Sequence, residues 1–292
     1  MKTYLDCIPC FFKQALEASR LALASKSIQK KVIDRVAKAI LKFPLKLSPP
    51  HMGRIIYKIV IEETKDKDPF YYLKQKSNRL ALKLYPKLKQ KVSHSKDRLF
   101  VAVELAIAGN IIDFGAKNSL KVEEELKHFL KGNFNIHFQH KKGAFDYQKF
   151  KKDINTAKTI LYLADNAGEI VFDRVLIEEI KRNWPDKKIF YVVRDKPIIN
   201  DVLKEDAKFC GIDKIIPVIS SGSDAPGTIL KLCSASFLKL FKKSDLIISK
   251  GQGNFESLSG SKRPIYFLFR AKCPIIAEDI GCELGDVILK YQ

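Results

Sequence analysis

Ile160-Leu-Tyr-Leu-Ala-Asp165-Asn166-Ala-Gly168-Glu169-Ile-Val-Phe-Asp173 is an apolar run that breaks into a carboxylate, an amide, a glycine turn and two further carboxylates. The run is short and bounded by turn residues, so it reads as a buried strand that hands over to a helix after Gly168. Thr159–Ala164 is the first of several such strands. Ile189–Arg194, Lys214–Ile219, Leu246–Ser249 and Ile265–Phe269 repeat the pattern, Val287–Leu289 offers a sixth, and helical stretches fall between the first four. Strands alternating with helices imply βαβ units and a mostly parallel, Rossmann-like α/β sheet. In such a sheet ligands lie beyond the carboxyl ends of the strands, where Asp165 and Asn166 stand. Their hard oxygens suit Mg²⁺ or Mn²⁺.

Towards the N-terminus the periodicity changes. Residues 1–130 carry amphipathic helical spacing, as in Cys10 to Leu23, Val32 to Leu41, Ile55 to Ile61 and Phe100 to Ile112. Pro44, Pro49 and Pro50 mark one break and Asp66-Lys-Asp-Pro69 another. The expected organisation is a helical region over 1–150 that contributes to the active site, packed on a metal- and phosphate-binding α/β domain over 151–292. Lys131 to Tyr147, rich in Asn, His, Lys and Gly, is the natural exposed connection.

The chain has 292 residues, 46% of them hydrophobic, enough for a sizeable core. No apolar run approaches the roughly 20 residues that span a bilayer. The start lacks the basic and apolar regions of a signal peptide, so a cytoplasmic location is the expectation, with no membrane partner. The six cysteines are then expected as reduced thiols, and only Cys7 and Cys10 have a close motif spacing. The net charge of +20 is lopsided: residues 1–155 hold 32 Lys and Arg against 15 Asp and Glu, or +17, which leaves +3 for the remainder. Much of that excess is Lys spaced along helices, as in Leu73 to Lys91, where solvated faces account for it without a partner. A field attracting phosphorylated metabolites or nucleic acid is the alternative.

All five histidines lie before residue 156, so a Ser-His-Asp triad or a His-rich zinc centre in the α/β half would have to import one. A carboxylate and amide site needs nothing extra. Turn and cap preference alone would account for an isolated Asp-Asn pair, but this pair has company. Glu169 and Asp173 sit four apart on one helix face, with Glu169 near enough to the turn to be a candidate base. The second strand ends in Arg194-Asp-Lys-Pro197, and Pro197 suits the first position of a helix that would hold Asn200 and Asp201 in its first turn. The third leads into Ser220-Ser-Gly222-Ser-Asp224-Ala-Pro-Gly227-Thr228, a small-residue loop able to cradle an anion. The fourth ends in Lys250-Gly251-Gln-Gly253-Asn254, a cation and a glycine-rich turn without Walker or GxGxxG spacing. A metal and a phosphate are implied together.

Asp6-Cys7-Ile-Pro-Cys10, Glu104-Leu-Ala-Ile-Ala-Gly109-Asn110-Ile-Ile-Asp113-Phe-Gly115, Ala164-Asp165-Asn166-Ala-Gly168-Glu169, Arg194 to Asp201 and Lys250 to Glu256 together resemble the damage-control phosphatases, formerly domain of unknown function 89. The resemblance runs in order from residue 4 to about 289, and the CxxC start resembles subfamily I, found in archaea and some bacteria. It implies a phosphatase dependent on Mn²⁺, Ni²⁺, Co²⁺ or Mg²⁺ that hydrolyses phosphomonoesters of small metabolites, including sugar phosphates and damaged or side-product phosphometabolites. It also implies an N-terminal helical region packed on a Rossmann-like domain. By position, the metal ligands fall on Asp165, Asn166 and Asp201. Lys250, Gly251, Gly253 and Asn254 match the stretch that holds the substrate phosphate, and Asn110 and Asp113 a segment entering from the helical part; the small-residue loop, with Gly222 and Asp224, is read from its own composition as a second cradle.

Such a site would attack phosphorus with water deprotonated by Glu169 or Asp113, or else directly with a carboxylate, while Lys250 clamps the phosphoryl oxygens. Cys7 and Cys10, one helical turn apart, either approach the active site or are small packed residues. The competing reading is a basic nucleotide- or nucleic-acid-binding protein without catalysis, motivated by the +17 half. Carboxyl methylation carries little weight, because Asp165-Asn166 stands where a methyl-donor glycine motif would be.

Overall fold

The computed structural model describes residues 1–109 and 144–292. Three of the first five helices begin where the sequence offers a cap or prolines. Helix α1 spans Cys7–Leu21, and α2 spans Lys26–Lys42 behind Ser25, whose hydroxyl accepts from the Ile28 amide. The proline break precedes α3, Pro49–Thr64, and supplies its first two residues. Helix α4 covers Tyr71–Ser93, and α5 covers Arg98–Ala108 behind Asp97, which caps the Phe100 amide. Helices α1, α2 and α3 bury Phe11, Ala15, Val36, Ile56 and Val60 against one another in a separate core, which Phe70 joins from the start of α4.

The remaining elements build the sheet. They are α6 (Tyr147–Thr156), β1 (Thr159–Leu163), α7 (Glu169–Asn183), β2 (Lys188–Val193), α8 (Lys204–Phe209), β3 (Val218–Ser220), α9 (Ala235–Lys243), β4 (Leu246–Lys250), α10 (Gln252–Leu258), β5 (Ile265–Arg270), α11 (Pro274–Ile280) and β6 (Val287–Tyr291). The strand order is β3-β2-β1-β4-β5-β6, parallel except for β6, which runs antiparallel to β5. Chain direction therefore diverges between β1 and β4, the switch point at which open α/β sheets bind ligands. Alternation along β1 splits the core: Ile160 and Tyr162 face the layer of α4, α5 and α7, whereas Leu161 and Leu163 face the layer of α9, α10 and α11.

Two local expectations are corrected. The third strand starts at Val218 rather than Lys214, because Ile215 and Ile216 fold back onto the Ile212 carbonyl and Pro217 has no amide to give a ladder. Pro197 does not open a helix. Ile198 to Asp201 forms a turn closed by the Asp201 amide on the Ile198 carbonyl, and the helix waits until Lys204. Backbone pairing across to the β1 loop competes successfully there, as described below. The connection expected over Lys131 to Tyr147 lies, up to residue 143, outside the described residues. No helix among the described residues is long and apolar enough to cross a membrane.

Candidate active site at the ends of strands 1 and 4

Beyond β1 the chain leaves the sheet at Asp165, and a second segment comes to meet it. The Ala167 amide donates to the Asn200 carbonyl at 2.8 Å, the Val202 amide donates to the Asp165 carbonyl at 2.9 Å, and Asn166 and Asp201 form an antiparallel bridge. These bonds set Asp165, Asn166 and Asp201 side by side. From β4, Gly251 presses on Asp165 so closely that a Cβ there would lie 1.9 Å from Oδ2, and its φ of +80° is a glycine conformation. The turn after β4 is glycine because a carboxylate occupies the space a side chain would need.

Asp201 is aimed by a buried polar network. Arg194 donates Nε to Asp201 Oδ2 at 2.7 Å, Nη1 to Thr228 Oγ1 at 3.1 Å and Nη2 to Asn254 Oδ1 at 3.0 Å. Asn254 in turn donates Nδ2 to the carbonyls of Ala164 and Lys250, tying the ends of β1 and β4 together. Burial pushes the Asp201 carboxyl up, with Arg194 pulling against it. Burial, then the charges of Glu169 and Asp201, push Asp165 well above the usual carboxylate range. Two buried carboxylates and an amide form a hard-oxygen donor set with an excess of negative charge, which a divalent cation fits and would relieve. Among the described residues no cluster of three or more His, Cys, Asp and Glu gathers around one point, so the set depends on the Asn166 amide.

Behind this front row lies a charged layer. Asn166 donates Nδ2 to Asp165 at 2.7 Å and to Glu169 at 2.9 Å. Lys250 donates to Asp173 at 2.7 Å and approaches Glu169 at 3.4 Å, while the hydroxyls of Tyr162 and Tyr191 donate to Asp173 at 2.7 and 2.9 Å. Lys250 is fully buried. Burial works against its charge, yet Asp173 and Glu169 hold the ammonium above the ordinary lysine value.

A further anchor comes from α4. Asn78, fully buried, accepts from the Gly168 amide at 2.8 Å and donates to Asp206 Oδ1 at 2.8 Å. Asp206 Oδ2 accepts from the Leu203 amide at 3.0 Å, so one amide side chain braces both the loop after β1 and the segment that leads to α8.

A cavity of about 570 Å³ opens in front of Asp165, Asn166 and Asp201. Gly227, Gly253, Glu256 and Lys272 continue its sheet-side wall, and Phe11, Arg20, Pro50 and Tyr57 of α1 and α3 close it from the other side. The sequence-derived residues thus separate into distinct groups. Asp165, Asn166, Asp201 and Gly253 line the cavity. Glu169, Lys250, Gly251 and Asn254 support it from within and do not line it. Gly222 and Asp224 lie elsewhere: Gly222 packs on Ser234, and Asp224 holds a two-pronged ion pair with Arg54 at 2.6 and 2.9 Å. Cys7 and Cys10 are not on the cavity wall, and burial pushes the Cys7 thiol up, away from thiolate reactivity. Asn110 and Asp113 lie outside the described residues. Sequence reasoning missed Asn78, Tyr57 and Lys272. Tyr57 and Asn78 look like ordinary members of amphipathic helices, and only their partners distinguish them.

The chain matches the damage-control phosphatase ARMT1-like domain over residues 3–288. It belongs to that family. A damage-control phosphatase of Pyrococcus horikoshii is 34% identical, with 99% of this chain and 97% of the relative covered. One from Archaeoglobus fulgidus is 33% identical, with 99% of each covered. An uncharacterized protein of Methanocaldococcus jannaschii is 39% identical over 97% of this chain and 93% of its own length. The crystal structure of a DUF89 family protein from Pyrococcus horikoshii superposes with a TM-score of 0.86 at 33% identity, covering 100% of this chain and 99% of that one. The Rossmann-like sheet under N-terminal helices is therefore the fold of the damage-control phosphatase family.

Proposed function

We propose that this protein is a metal-dependent phosphatase that hydrolyses phosphomonoesters of small metabolites, in the damage-control role that its named relatives carry in their names. The observation that carries the reading is the convergence of Asp165, Asn166 and Asp201 on one cavity at the β1–β4 switch point. A divalent cation of the Mg²⁺, Mn²⁺, Co²⁺ or Ni²⁺ type, held by those three residues, would supply Lewis-acid neutralisation of the phosphoryl oxygens.

The chain's own groups do the rest. Lys272 brings a positive charge to the same wall, where it pulls against the raised carboxyl of Asp165. Gly227 and Gly253 keep that wall free of side chains, since a Cβ on Gly227 would meet the Gly253 carbonyl at 2.3 Å. Arg194 orients Asp201, and Glu169 orients Asn166, each through a direct hydrogen bond. Lys250 supports the phosphate site indirectly, by balancing Glu169 and Asp173 rather than by touching the ester. The volume suits a metabolite rather than a polymer, and the helical wall excludes bulk water from one side.

The test is phosphate release from p-nitrophenyl phosphate by protein stripped with EDTA, then supplied with each cation in turn. Asp201→Asn preserves shape and removes one charged ligand. Activity that returns with metal in the wild type, and in the variant only at much higher metal, is the expected result. Release that persists in EDTA would refute metal dependence, and salt-sensitive nucleic-acid binding without turnover would favour the non-catalytic alternative.

A further inference from the structure

Tyr57 is the polar side chain of α3 that reaches the cavity from the helical side. It is 3% exposed, and its ring is fixed against Phe70 with centroids 5.8 Å apart. Its hydroxyl has no hydrogen-bond partner among the described residues, whereas Tyr162 and Tyr191, the other deeply buried tyrosines nearby, both donate to Asp173. Its ring is buried, but its hydroxyl is not among the sealed, unpartnered polar atoms of the described residues, so at the cavity wall it is open to meet what enters the cavity. Burial, then the negative charges of Asp201 and Glu17, keep the phenol protonated far above neutral pH. It can therefore only donate to an anion.

We propose that Tyr57 is a catalytic residue whose hydroxyl donates a hydrogen bond to the bridging oxygen of the bound phosphomonoester. The inference rests on the phosphatase reading above. In the hydrolysis, the oxygen of water forms a new bond to phosphorus as the bond from phosphorus to the bridging oxygen breaks. The electron pair of the broken bond goes to that oxygen, which leaves as the alcohol after taking a proton that derives from water. Tyr57 keeps its own proton and stabilises charge as it develops on the departing oxygen. Placement opposite the Asp165 and Asp201 wall suits this division, with the phosphoryl group held on the sheet side and the leaving group on the helical side.

The experiment compares wild type with Tyr57→Phe on two substrates: p-nitrophenyl phosphate, whose leaving group needs little help, and a simple alkyl phosphate, whose leaving group needs much. The variant deletes an oxygen that bonds to none of the described residues and keeps the ring on Phe70, so its melting temperature should be unchanged. Loss of one transition-state donor lowers kcat by roughly 10²–10³, and that loss is expected for the alkyl ester, with a fall of less than about 10-fold for the aryl ester. Equal falls for both esters would place the hydroxyl elsewhere on the substrate and overturn the proposal. No fall in either would overturn it as well. Wild-type protein without metal-dependent turnover would instead remove the phosphatase reading itself, so the two failures are distinct.

Discussion

Replacing Lys250 by Met separates a lysine that touches substrate from one that balances buried charge. Lys250 is fully enclosed and is the cation bonded to Asp173 and Glu169, themselves almost wholly buried. Removing one partner of a buried ion pair costs about 3–5 kcal/mol, because the charge left behind is buried without that counter-ion. At about 2–3 °C per kcal/mol for a chain of this size, the melting temperature should fall by about 6–15 °C. Measured in EDTA, this fall is independent of any cation.

Adding Asp173→Asn to Lys250→Met should recover part of the loss, since the amide oxygen can still accept from one of Tyr162 and Tyr191 while its NH2 donates to the hydroxyl oxygen of the other. The pH dependence has a definite sign. Burial already raises the folded-state value of Asp173 above its ordinary 3.8, so the native chain binds more protons than the unfolded chain above that value. Stability falls as pH rises through this window and levels off beyond the folded-state value. Without Lys250 the window widens upward, and the single variant should regain stability on mild acidification. A Lys250→Met protein that melts with the wild type yet has lost all turnover would refute the argument and return the lysine to direct phosphate contact.

Gly251→Ala should abolish metal-dependent activity and weaken cation binding measured directly by titration calorimetry, because the new methyl meets Asp165 at 1.9 Å and the backbone sits at φ +80°. Binding of wild-type strength would show that Asp165 can be displaced without consequence. Asn78→Ala should raise the metal concentration needed for half-maximal turnover by about 10-fold or more, the usual scale for groups that orient ligands. An unaltered metal requirement would reduce Asn78 to a packing residue.

Much of the fold was legible because strand periodicity and glycine turns are local signals. The strands read as Thr159–Ala164 and Leu246–Ser249 fold as Thr159–Leu163 and Leu246–Lys250, and both carry candidate site residues at their ends. The stretch after Pro197 was not legible. Its proline favoured a helix start, but the deciding bonds run from Asn200 and Val202 to a loop more than 30 residues earlier. The surroundings of Lys250 were not legible for a related reason. A lysine before a glycine turn resembles a phosphate clamp, and nothing in the linear chain shows that Asp173 turns towards it from α7. Asn78 gave no signal among the lysines of α4, since its meaning lies in Gly168 and Asp206.

The backbone stitching between Ala167 and Asn200, and between Asp165 and Val202, has a thermodynamic consequence. Many sites of this type hold their ligands on loops that order only when the ion arrives, so that binding free energy is spent on fixing the chain. Here the two segments are already joined as a miniature ladder, and the entropy of ordering them was lost when the sheet folded. An incoming cation should therefore leave amide exchange at Ala167 and Val202 nearly as slow as it found it, and should stabilise the protein by mass action alone.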